Sequence, residues 1–386
     1  MPQSANWSYP TQIRFGAGRI AELGRACRSA GINHPLMVTD SGLADSPIAR
    51  GALRTLEEVG KNPGLFSDVR SNPVESNLSA GVRAFREGGH DGVVAFGGGS
   101  ALDTGKLIAF MSGQTLPVWE FEDVGDNWKR ANADGIAPIV AVPTTAGTGS
   151  EVGRAGVVTN EDTHTKKVIF HPKLLPTIVI CDPELTVGMP PRITAGTGLD
   201  AFAHCLEAYC APFYHPMSEG IAVEGMRLVA ESLPAVYRNG EDIDARGKMM
   251  SAAAMGAVAF QKGLGAIHAL SHPVGALYDT HHGMTNAVFM PYVLNFNRSA
   301  IEDRIRRLSA FLGLHSTGFP AFLDYVLAIR EELDVPHTLP ELGVDDRQVD
   351  LIAAMAVEDP TAGGNPVPLN AAGAREIFEC AFTGRL

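Results

Sequence analysis

Acidic and histidine side chains recur at short spacings in two segments of the second half of the chain. Asp200 and His204 lie four residues apart, and His268, His272 and His282 fall within one 15-residue stretch. Side chains at positions i and i+4 project from the same face of a helix. Groups of this kind on facing helices can bind one divalent metal ion, and we therefore predict a metal site.

The predicted metal ligands are Asp200, His204, His268 and His282. Three imidazoles and one carboxylate form a mixed nitrogen and oxygen site, which suits Fe²⁺ or Zn²⁺ and leaves one position open for a substrate oxygen. We assign His272, one helical turn after His268, to proton handling or to support of the ligands. His281 competes with His282 for the ligand role, and their spacing alone does not separate them.

The composition limits the class of protein. At 386 residues the chain exceeds one ordinary core, so two domains are expected, and the contents of 45% hydrophobic and 19% charged residues are typical of a soluble globular protein. The net charge of −12 disfavours a nucleic-acid or anionic-membrane surface. The absence of a signal-like or membrane-spanning segment and the five scattered cysteines favour a cytoplasmic enzyme with reduced thiols.

The first half of the chain alternates β-branched runs with helical patterns. Buried strands are predicted at 35–40, 92–96, 137–142 and 177–181, and helical patterns occupy 19–30 and 101–111. This alternation predicts a Rossmann-like α/β domain with a mostly parallel sheet and helices on both faces. Ligands of such sheets bind at the carboxyl ends of the strands.

The second half has a different character, beginning after a proline-rich segment that ends at Pro191. Apolar residues recur with helical periodicity at 196–211, 217–236, 246–261 and 301–313. We therefore predict a dinucleotide-binding α/β domain over 1–191 and an all-α domain over 192–386. Pro273 and Gly275 are expected to break the chain between His268 and His282.

Two glycine-rich turns follow predicted strands. Gly97–Ser100 opens a helix whose backbone N–H groups suit a pyrophosphate, although the turn lacks the G-x-G-x-x-G pattern and a plain tight turn is the alternative. The segment 143–151 carries four hydroxyl residues and two glycines, which favours a phosphate and nicotinamide cradle over an ordinary turn. Asp40 ends a predicted strand, where it either accepts hydrogen bonds from ribose hydroxyls, favouring NAD, or begins a turn.

Four blocks, in this order, resemble the iron-containing (group III) alcohol dehydrogenase family. They are GGGSALDTGK at 97–106, PTTAGTGSE at 143–151, GLDAFAH at 198–204 and the histidine segment 268–283, with a weaker fifth block, GGNP, at 363–366. Together they cover nearly the whole chain. The resemblance implies a dinucleotide-binding α/β domain, a helical domain, a dehydroquinate synthase-like architecture and a metal in the cleft.

The resemblance also implies roles for individual residues. It assigns the metal to the four ligands named above, choosing His282 because the family's ligand directly precedes the glycine, and it places His272 near the nicotinamide. The cofactor residues that it indicates are Asp40, Asn72, Gly98, Gly99, Ser100, Asp103, Thr144, Thr145, Thr148 and Lys167. After the Ser150-Glu151 pair the family usually has a hydroxyl residue, whereas this chain has Gly153 and Arg154. Arg154 is therefore a candidate for a substrate-facing charge, which argues against ordinary small-alcohol specificity.

The implied function is an NAD(P)-dependent alcohol dehydrogenase or aldehyde reductase, with metal-assisted hydride transfer between an alcohol and the nicotinamide. NAD is favoured over NADP and Fe²⁺ over Zn²⁺, and the expected state is a cytoplasmic homodimer with no nucleic-acid or membrane partner. The alternative is a maleylacetate reductase-like or hydroxyacid dehydrogenase, in which Arg154 or Lys262 holds a carboxylate. More distant alternatives are a dehydroquinate synthase-like lyase and a non-catalytic nucleotide-binding or metal-storage protein.

Overall fold

The computed structural model describes residues 11–163 and 165–386. The chain forms two compact units. The sheet unit contains the described residues up to Thr145 together with Gly149–Val187, and the helical unit contains Ala146–Thr148 together with Gly188–Leu386. The segment 143–151 is thus divided between the two units.

A six-stranded parallel sheet forms the centre of the sheet unit. Its strands are β1 (Gln12–Phe15), β2 (Pro35–Val38), β3 (Gly64–Phe66), β4 (Gly92–Gly97), β5 (Ile139–Pro143) and β8 (Ile178–Cys181), in the order β1-β8-β5-β4-β2-β3. The central strands are buried along their whole length, as expected for a parallel sheet covered on both faces. The predicted parallel α/β fold is confirmed.

Four strands were not predicted from the sequence. The edge strands β1 and β3 are four and three residues long and partly exposed, so they carry little periodic signal. The other two, β6 (Ala155–Asn160) and β7 (Thr165–Phe170), pair antiparallel with each other outside the main sheet. The helices of this unit are α1 (Leu23–Ser29), α2 (Ser41–Ala44), α3 (Pro47–Glu57), α4 (Glu75–Glu87) and α5 (Gly99–Met111).

The helical unit contains eight α-helices. They are α6 (Pro191–Cys210), α7 (Pro216–Arg238), α8 (Ile243–Ala259), α9 (Ala266–Tyr278), α10 (His282–Phe311), α11 (Phe319–Glu332), α12 (Val349–Glu358) and α13 (Ala371–Thr383). No strand occurs in residues 188–386, all of which the structure describes, so the predicted all-α fold is confirmed. Over the described chain, no helix combines the length and apolarity needed to cross a membrane.

The expected break at Pro273 and Gly275 was wrong. Helix α9 continues through both residues, and the chain turns instead at Asp279, which has a φ of 52°. A proline removes one backbone N–H, but it does not end a helix whose neighbouring residues, such as Leu270 and Val274, are fully buried. The predicted helix at 301–313 is the second half of the longer α10.

Candidate active site

Helix α6 carries two of the predicted metal ligands. It begins at Pro191, a residue suited to the first helical position because its missing N–H would have no partner there. Asp200 and His204 follow one turn apart, and both are buried, with 2% and 5% of their surface exposed. Buried polar groups require polar partners, so this face of α6 must meet other polar groups of the helical unit.

Helices α9 and α10 bring His268 and His282 to that face. Glycine makes the approach of α10 possible, because a Cβ atom at Gly283 would lie 2.1 Å from the carbonyl oxygen of Gly196 and 3.1 Å from Cβ of Asp200. The first turn of α10 therefore packs directly on α6. This close approach places His282 beside Asp200.

The predicted ligands gather around Asp200: one ligand atom each of Asp200, His204 and His268 lies within 4.8 Å of the others, and His282 approaches the group at Asp200. Asp200 Oδ1 lies 3.8 Å from His204 Nε2, 3.7 Å from His268 Nε2 and 3.6 Å from His282 Nε2. These distances are too long for direct hydrogen bonds. They are close to the spacing of about 3.4 Å between tetrahedral ligands that each lie about 2.1 Å from a metal. The donor set and its spacing fit a divalent cation.

The amide nitrogen of Asn286 lies close to three of the four predicted ligands. It lies 2.8 Å from Asp200 Oδ1 and 3.2 Å from the Nε2 atoms of both His268 and His282. An amide nitrogen has only two hydrogens, so it cannot donate a full hydrogen bond to all three atoms. Asn286 Oδ1 is buried and has no hydrogen-bond partner among the described residues. The hydrogen bonds of Asn286 therefore leave these ligand atoms incompletely satisfied, as expected for atoms that would bind a cation.

The charges of the ligands depend strongly on one another. Burial opposes ionisation of Asp200, but His204, His282 and His268 outweigh it and hold the pKa of Asp200 well below its usual range. Burial lowers the pKa of His204 to about 4, so its imidazole is neutral at pH 7, the form that binds metals. Burial opposes charging of His268 as well, but the carboxylates of Glu207 and Asp200 raise its pKa to about 9.

His281 and His282 have different surroundings. His281 caps α10, because its Nδ1 atom accepts a hydrogen bond of 3.3 Å from the backbone N–H of Met284. His282, in contrast, directs its Nε2 atom toward Asp200. The geometry therefore favours His282 as a ligand.

His272 lies next to the ligand group rather than in it. Its ring stacks on that of His282, with centroids 5.4 Å apart and planes inclined by 13°. Its Nδ1 atom pairs with Asp359 Oδ2 at 2.8 Å, while Asp359 Oδ1 accepts hydrogen bonds from the backbone and hydroxyl of Thr361. Asp359 is thus fixed on both sides and orients the imidazole of His272.

The sequence reasoning did not identify Glu207, Asn286 or Asp359. Glu207 lies three residues after His204 and Asn286 four residues after His282, so helical periodicity could have found both. Asp359 is 87 residues from His272 and reaches it only through the tertiary fold.

Strands β2 and β4 are neighbours in the sheet unit, and the chain leaves them in opposite directions, toward β3 and β5. Such a switch point is where parallel sheets bind ligands, at the carboxyl ends of the strands. Asp40 follows β2, and its Oδ1 atom caps α2 by accepting from the N–H groups of Gly42 and Leu43. Its Oδ2 atom faces the end of β4, since a Cβ atom at Gly97 would lie 3.6 Å from it.

The turn after β4 is built from glycine for reasons of space. Gly97 has a φ of 144°, and a Cβ atom on it would lie 2.7 Å from Cβ of Ala101. Gly98 is the N-cap of α5 and offers no side chain to the first N–H groups of that helix, which begins at Gly99. A Cβ atom on Gly98 would also approach Thr145 to 3.2 Å. The backbone of this turn is therefore the part suited to a phosphate.

Several predicted cofactor residues already contact other protein groups. Asp103 accepts hydrogen bonds from Ser150 Oγ at 2.5 Å and from the N–H of Val157 at 3.1 Å, and it pairs with Lys106 at 3.1 Å. These contacts join α5 to the segment before β6 and to β6 itself. Ser100 donates a hydrogen bond to the carbonyl of Ser71. Asp103 and Ser100 thus contribute to the fold in this structure, and their cofactor role stays a prediction.

The remaining predicted cofactor residues lie at several places. Thr144 is buried after β5 and its N–H bonds the carbonyl of Gly97 at 3.0 Å. Asn72 lies in the turn before α4, and Thr148 belongs to the helical unit. Lys167, on β7, pairs with Glu122 at 2.8 Å. Their contacts with a nucleotide stay predictions.

The two cationic side chains proposed to hold a substrate carboxylate, Arg154 and Lys262, both contact other groups of the protein. The guanidinium of Arg154 lies over the ring of Phe170, 5.4 Å from its centroid. The ammonium of Lys262 is buried, pairs with Glu219 at 2.8 Å and donates to the carbonyl of Tyr209 at 3.0 Å. Their present contacts do not favour the carboxylate-binding alternative.

Comparison with known proteins places the whole chain in one family. The family model described as iron-containing alcohol dehydrogenase matches residues 10–183, and that described as the C-terminal part of the Fe-containing alcohol dehydrogenase family matches residues 194–382. The 4-hydroxybutyrate dehydrogenase of Cupriavidus necator is 38% identical over 96% of this chain and 98% of its own length. The NAD-dependent methanol dehydrogenase of Bacillus methanolicus is 33% identical over 94% of this chain and 95% of its own length.

A solved structure agrees with this assignment. The crystal structure of a 1,3-propanediol oxidoreductase superposes with a TM-score of 0.92 at 32% identity, covering 98% of this chain and 100% of that one. The chain therefore belongs to the iron-containing alcohol dehydrogenase family, and it is an oxidoreductase acting on CH–OH groups.

Proposed function

We propose that this dehydrogenase interconverts primary alcohols and aldehydes with NAD, at a divalent cation held by Asp200, His204, His268 and His282. The observation that carries the proposal is that Asp200 Oδ1 lies 3.6 to 3.8 Å from an Nε2 atom of each of the three histidines, with ligand atoms of Asp200, His204 and His268 within 4.8 Å of one another. Fe²⁺ and Zn²⁺ both accept this donor set. We favour Fe²⁺ because of the family, although metal supply also decides the occupant.

When bound, the cation supplies Lewis-acid polarisation of the alcohol oxygen, and the nicotinamide supplies the hydride acceptor. The protein's own groups do the rest. Asp200, with a pKa held well below its usual range, contributes the one negative charge among the four ligands. His204, neutral because of burial, contributes a lone pair without adding charge.

His272 is the proposed proton acceptor for the alcohol hydroxyl. Its Nδ1 atom pairs with the carboxylate of Asp359 at 2.8 Å, and a carboxylate accepts hydrogen bonds. This pairing places the ring proton on Nδ1 and leaves a lone pair on Nε2, which can take up a proton. Stacking against His282 keeps the ring beside the ligand group.

The preference for NAD is argued from Asp40. A carboxylate at the carboxyl end of β2 accepts hydrogen bonds from ribose hydroxyls and repels a 2′-phosphate. Its Oδ2 atom is not engaged in the capping of α2, which uses Oδ1. The relative named as an NAD-dependent methanol dehydrogenase is consistent with this preference.

The substrate range is proposed to be short primary alcohols and diols, by analogy with the names of the methanol and 1,3-propanediol enzymes. The relative named 4-hydroxybutyrate dehydrogenase adds an ω-hydroxy acid to the range that must be tested. The cytoplasmic location and the homodimer stay predictions.

The test is a comparison of His268→Ala with the wild type after anaerobic purification. We expect the variant to lose bound metal, measured by mass spectrometry, and to lose turnover in an NADH-coupled assay, while its affinity for NAD stays within about twofold. His215→Ala is the control, because His215 is a buried histidine that caps α7 outside the ligand group. If His268→Ala retained full activity in chelator, the proposed metal site would be wrong.

The substrate assay uses matched pairs of alcohols with and without a terminal carboxylate. We expect 1-butanol and 1,3-propanediol to be oxidised with stoichiometric accumulation of NADH. Preference for 4-hydroxybutyrate by more than about tenfold in kcat/KM would instead establish the carboxylate-bearing class. Turnover of a substrate without net NADH would support a lyase.

A further inference from the structure

We infer that Glu207 is a positioning residue of the metal centre: it fixes the ring and the tautomer of His268, and thereby sets the affinity for the cation. This inference rests on the proposed metal site. Glu207 is 6% exposed and lies on α6, three residues after His204. No pattern in the sequence had assigned it a role.

Both carboxylate oxygens of Glu207 reach helix α9. Oε1 accepts a hydrogen bond of 2.7 Å from the backbone N–H of Ile267, and Oε2 lies 2.6 Å from Nδ1 of His268. The side chain therefore bonds to the backbone of one residue and to the ring of the next. These two contacts fix both the start of α9 and the rotation of the His268 ring.

The hydrogen bonds also decide which nitrogen of His268 would carry the lone pair in the neutral, metal-binding form of the ring. A carboxylate only accepts, so Nδ1 of His268 must be the donor. In the neutral ring, Nε2 is then the acceptor, and it is Nε2 that lies 3.7 Å from Asp200 Oδ1. The amide nitrogen of Asn286 lies 3.2 Å from the same atom. A lone pair at this position is what a cation requires.

Glutamine at position 207 would reverse this arrangement. The N–H of Ile267 is a fixed donor and needs the amide oxygen, which directs the amide NH₂ toward Nδ1 of His268. That pairing favours the opposite tautomer, with a proton on Nε2, facing Asp200. In the other orientation, the amide NH₂ of the glutamine would face the backbone N–H of Ile267, and these two buried donors would have no acceptor between them. Either way, the replacement changes the ring that binds the metal while preserving the size of the side chain.

A second contact separates this role from simple anchoring of α9. Asn365 Oδ1 accepts a hydrogen bond of 3.1 Å from the N–H of Ala266, and Asn365 also pairs with Asn297. No hydrogen bond links Asn365 to His268 in the described chain. Asn365→Ala therefore weakens the same helix terminus without altering the partner of the His268 ring.

The experiment measures the Co²⁺ affinity of metal-free full-length protein by competition with a chromophoric chelator, together with the visible absorption of the Co²⁺ form. We expect Glu207→Gln to bind Co²⁺ about 10- to 100-fold more weakly and to alter the absorption spectrum. Glu207→Asp, which keeps the charge but shortens the reach, should give an intermediate loss. NAD affinity should stay within about twofold of the wild type in both variants.

The outcomes separate this inference from the proposal on which it rests. The inference about Glu207 would be overturned if Glu207→Gln bound Co²⁺ as tightly as the wild type. It would also be overturned if Asn365→Ala lost as much Co²⁺ affinity as Glu207→Gln, because anchoring of α9 would then explain the effect of both variants. If Glu207→Gln does not fold, Glu207→Asp takes its place in this comparison. The inference then requires Glu207→Asp to lose more Co²⁺ affinity than Asn365→Ala. Failure of the wild type to bind Co²⁺, or unchanged binding by His268→Ala, would instead refute the metal site itself.

Discussion

The two units present their candidate binding groups in different ways. In the helical unit, the Nε2 atoms of the three proposed histidine ligands face Asp200 Oδ1, and the amide nitrogen of Asn286 lies near Asp200, His268 and His282. In the sheet unit, the predicted side chains Ser100, Asp103 and Lys167 already contact other parts of the protein. The glycine-rich turn at Gly97–Ser100 instead offers a ligand its backbone groups.

Two buried carboxylates, one in each unit, have different environments. Glu207 has a donor for each oxygen, from Ile267 and His268. Glu151, in the sheet unit, is 3% exposed, and burial raises its pKa to about 7, against the weaker effect of Lys106. The proposed metal ligands of the helical unit are therefore all side chains, whereas the sheet unit combines the backbone of the glycine turn with the side chain of Asp40.

The largest expected effect comes from Gly283→Ala. The added Cβ atom would lie 2.1 Å from the carbonyl oxygen of Gly196, so α10 must move away from α6 and carry His282 with it. We expect metal affinity to fall about 100-fold or more and stability to fall by about 3 kcal/mol. Metal titration and thermal denaturation measure the two effects. Gly220→Ala, a helical glycine with open space around it, is the control and should be neutral or stabilising.

The next effect concerns Glu151→Gln and depends on pH. The pKa of Glu151 is raised from 4.5 to about 7 in the folded protein, which therefore binds the proton of this side chain more tightly than the unfolded chain does. The resulting contribution to the free energy of unfolding is complete below pH 4.5 and is lost as the pH rises through 7. Glutamine does not titrate, so the variant does not lose stability in this way. Its free energy of unfolding relative to that of the wild type should therefore rise between pH 4.5 and 7, by at most about 3 kcal/mol.

Thermal denaturation at pH 5 and pH 8 checks this prediction. Glu57→Gln, at an exposed position of α3, should show no such pH dependence. A difference between Glu151→Gln and the wild type that is the same at both pH values would show that the folded protein keeps Glu151 ionised throughout.

The smallest effect is expected for Gly97→Ala. An L side chain is strained at its φ of 144°, and the Cβ atom would meet that of Ala101 at 2.7 Å. We expect NAD affinity, measured by fluorescence titration, to fall about tenfold, with metal content unchanged. Gly89→Ala, strained at a φ of 62° but with nothing nearby, is the control. Loss of metal in Gly97→Ala would contradict the independence of the two sites.

The elements of the fold could be predicted where the apolar pattern is regular. The buried strands β2, β4, β5 and β8 were found because each lies in a continuous run of apolar residues. The edge strands β1 and β3 were missed because they are short and only partly buried. Pro273 was misjudged as a break because packing around α9 outweighs the loss of one backbone N–H.

The candidate site was predicted in part. Spacing along one helix reveals neighbours such as Asp200 and His204, whereas a pair such as His272 and Asp359, 87 residues apart, has no local signal. Spacing also left His281 and His282 equivalent; the family resemblance indicated His282, and the geometry shows His281 as a helix cap and His282 facing Asp200.

The amino-acid sequence by itself determined the family, the α/β character of the first half, the helical character of the second half and the kinds of atoms available to a metal, because these follow from motifs, local periodicity and side-chain chemistry. Only the tertiary structure decided that Gly283 brings α10 against α6 and that Glu207 pairs with His268. Convergence of this kind depends on close packing between helices that are distant in the chain, and such packing leaves no periodic trace in the sequence.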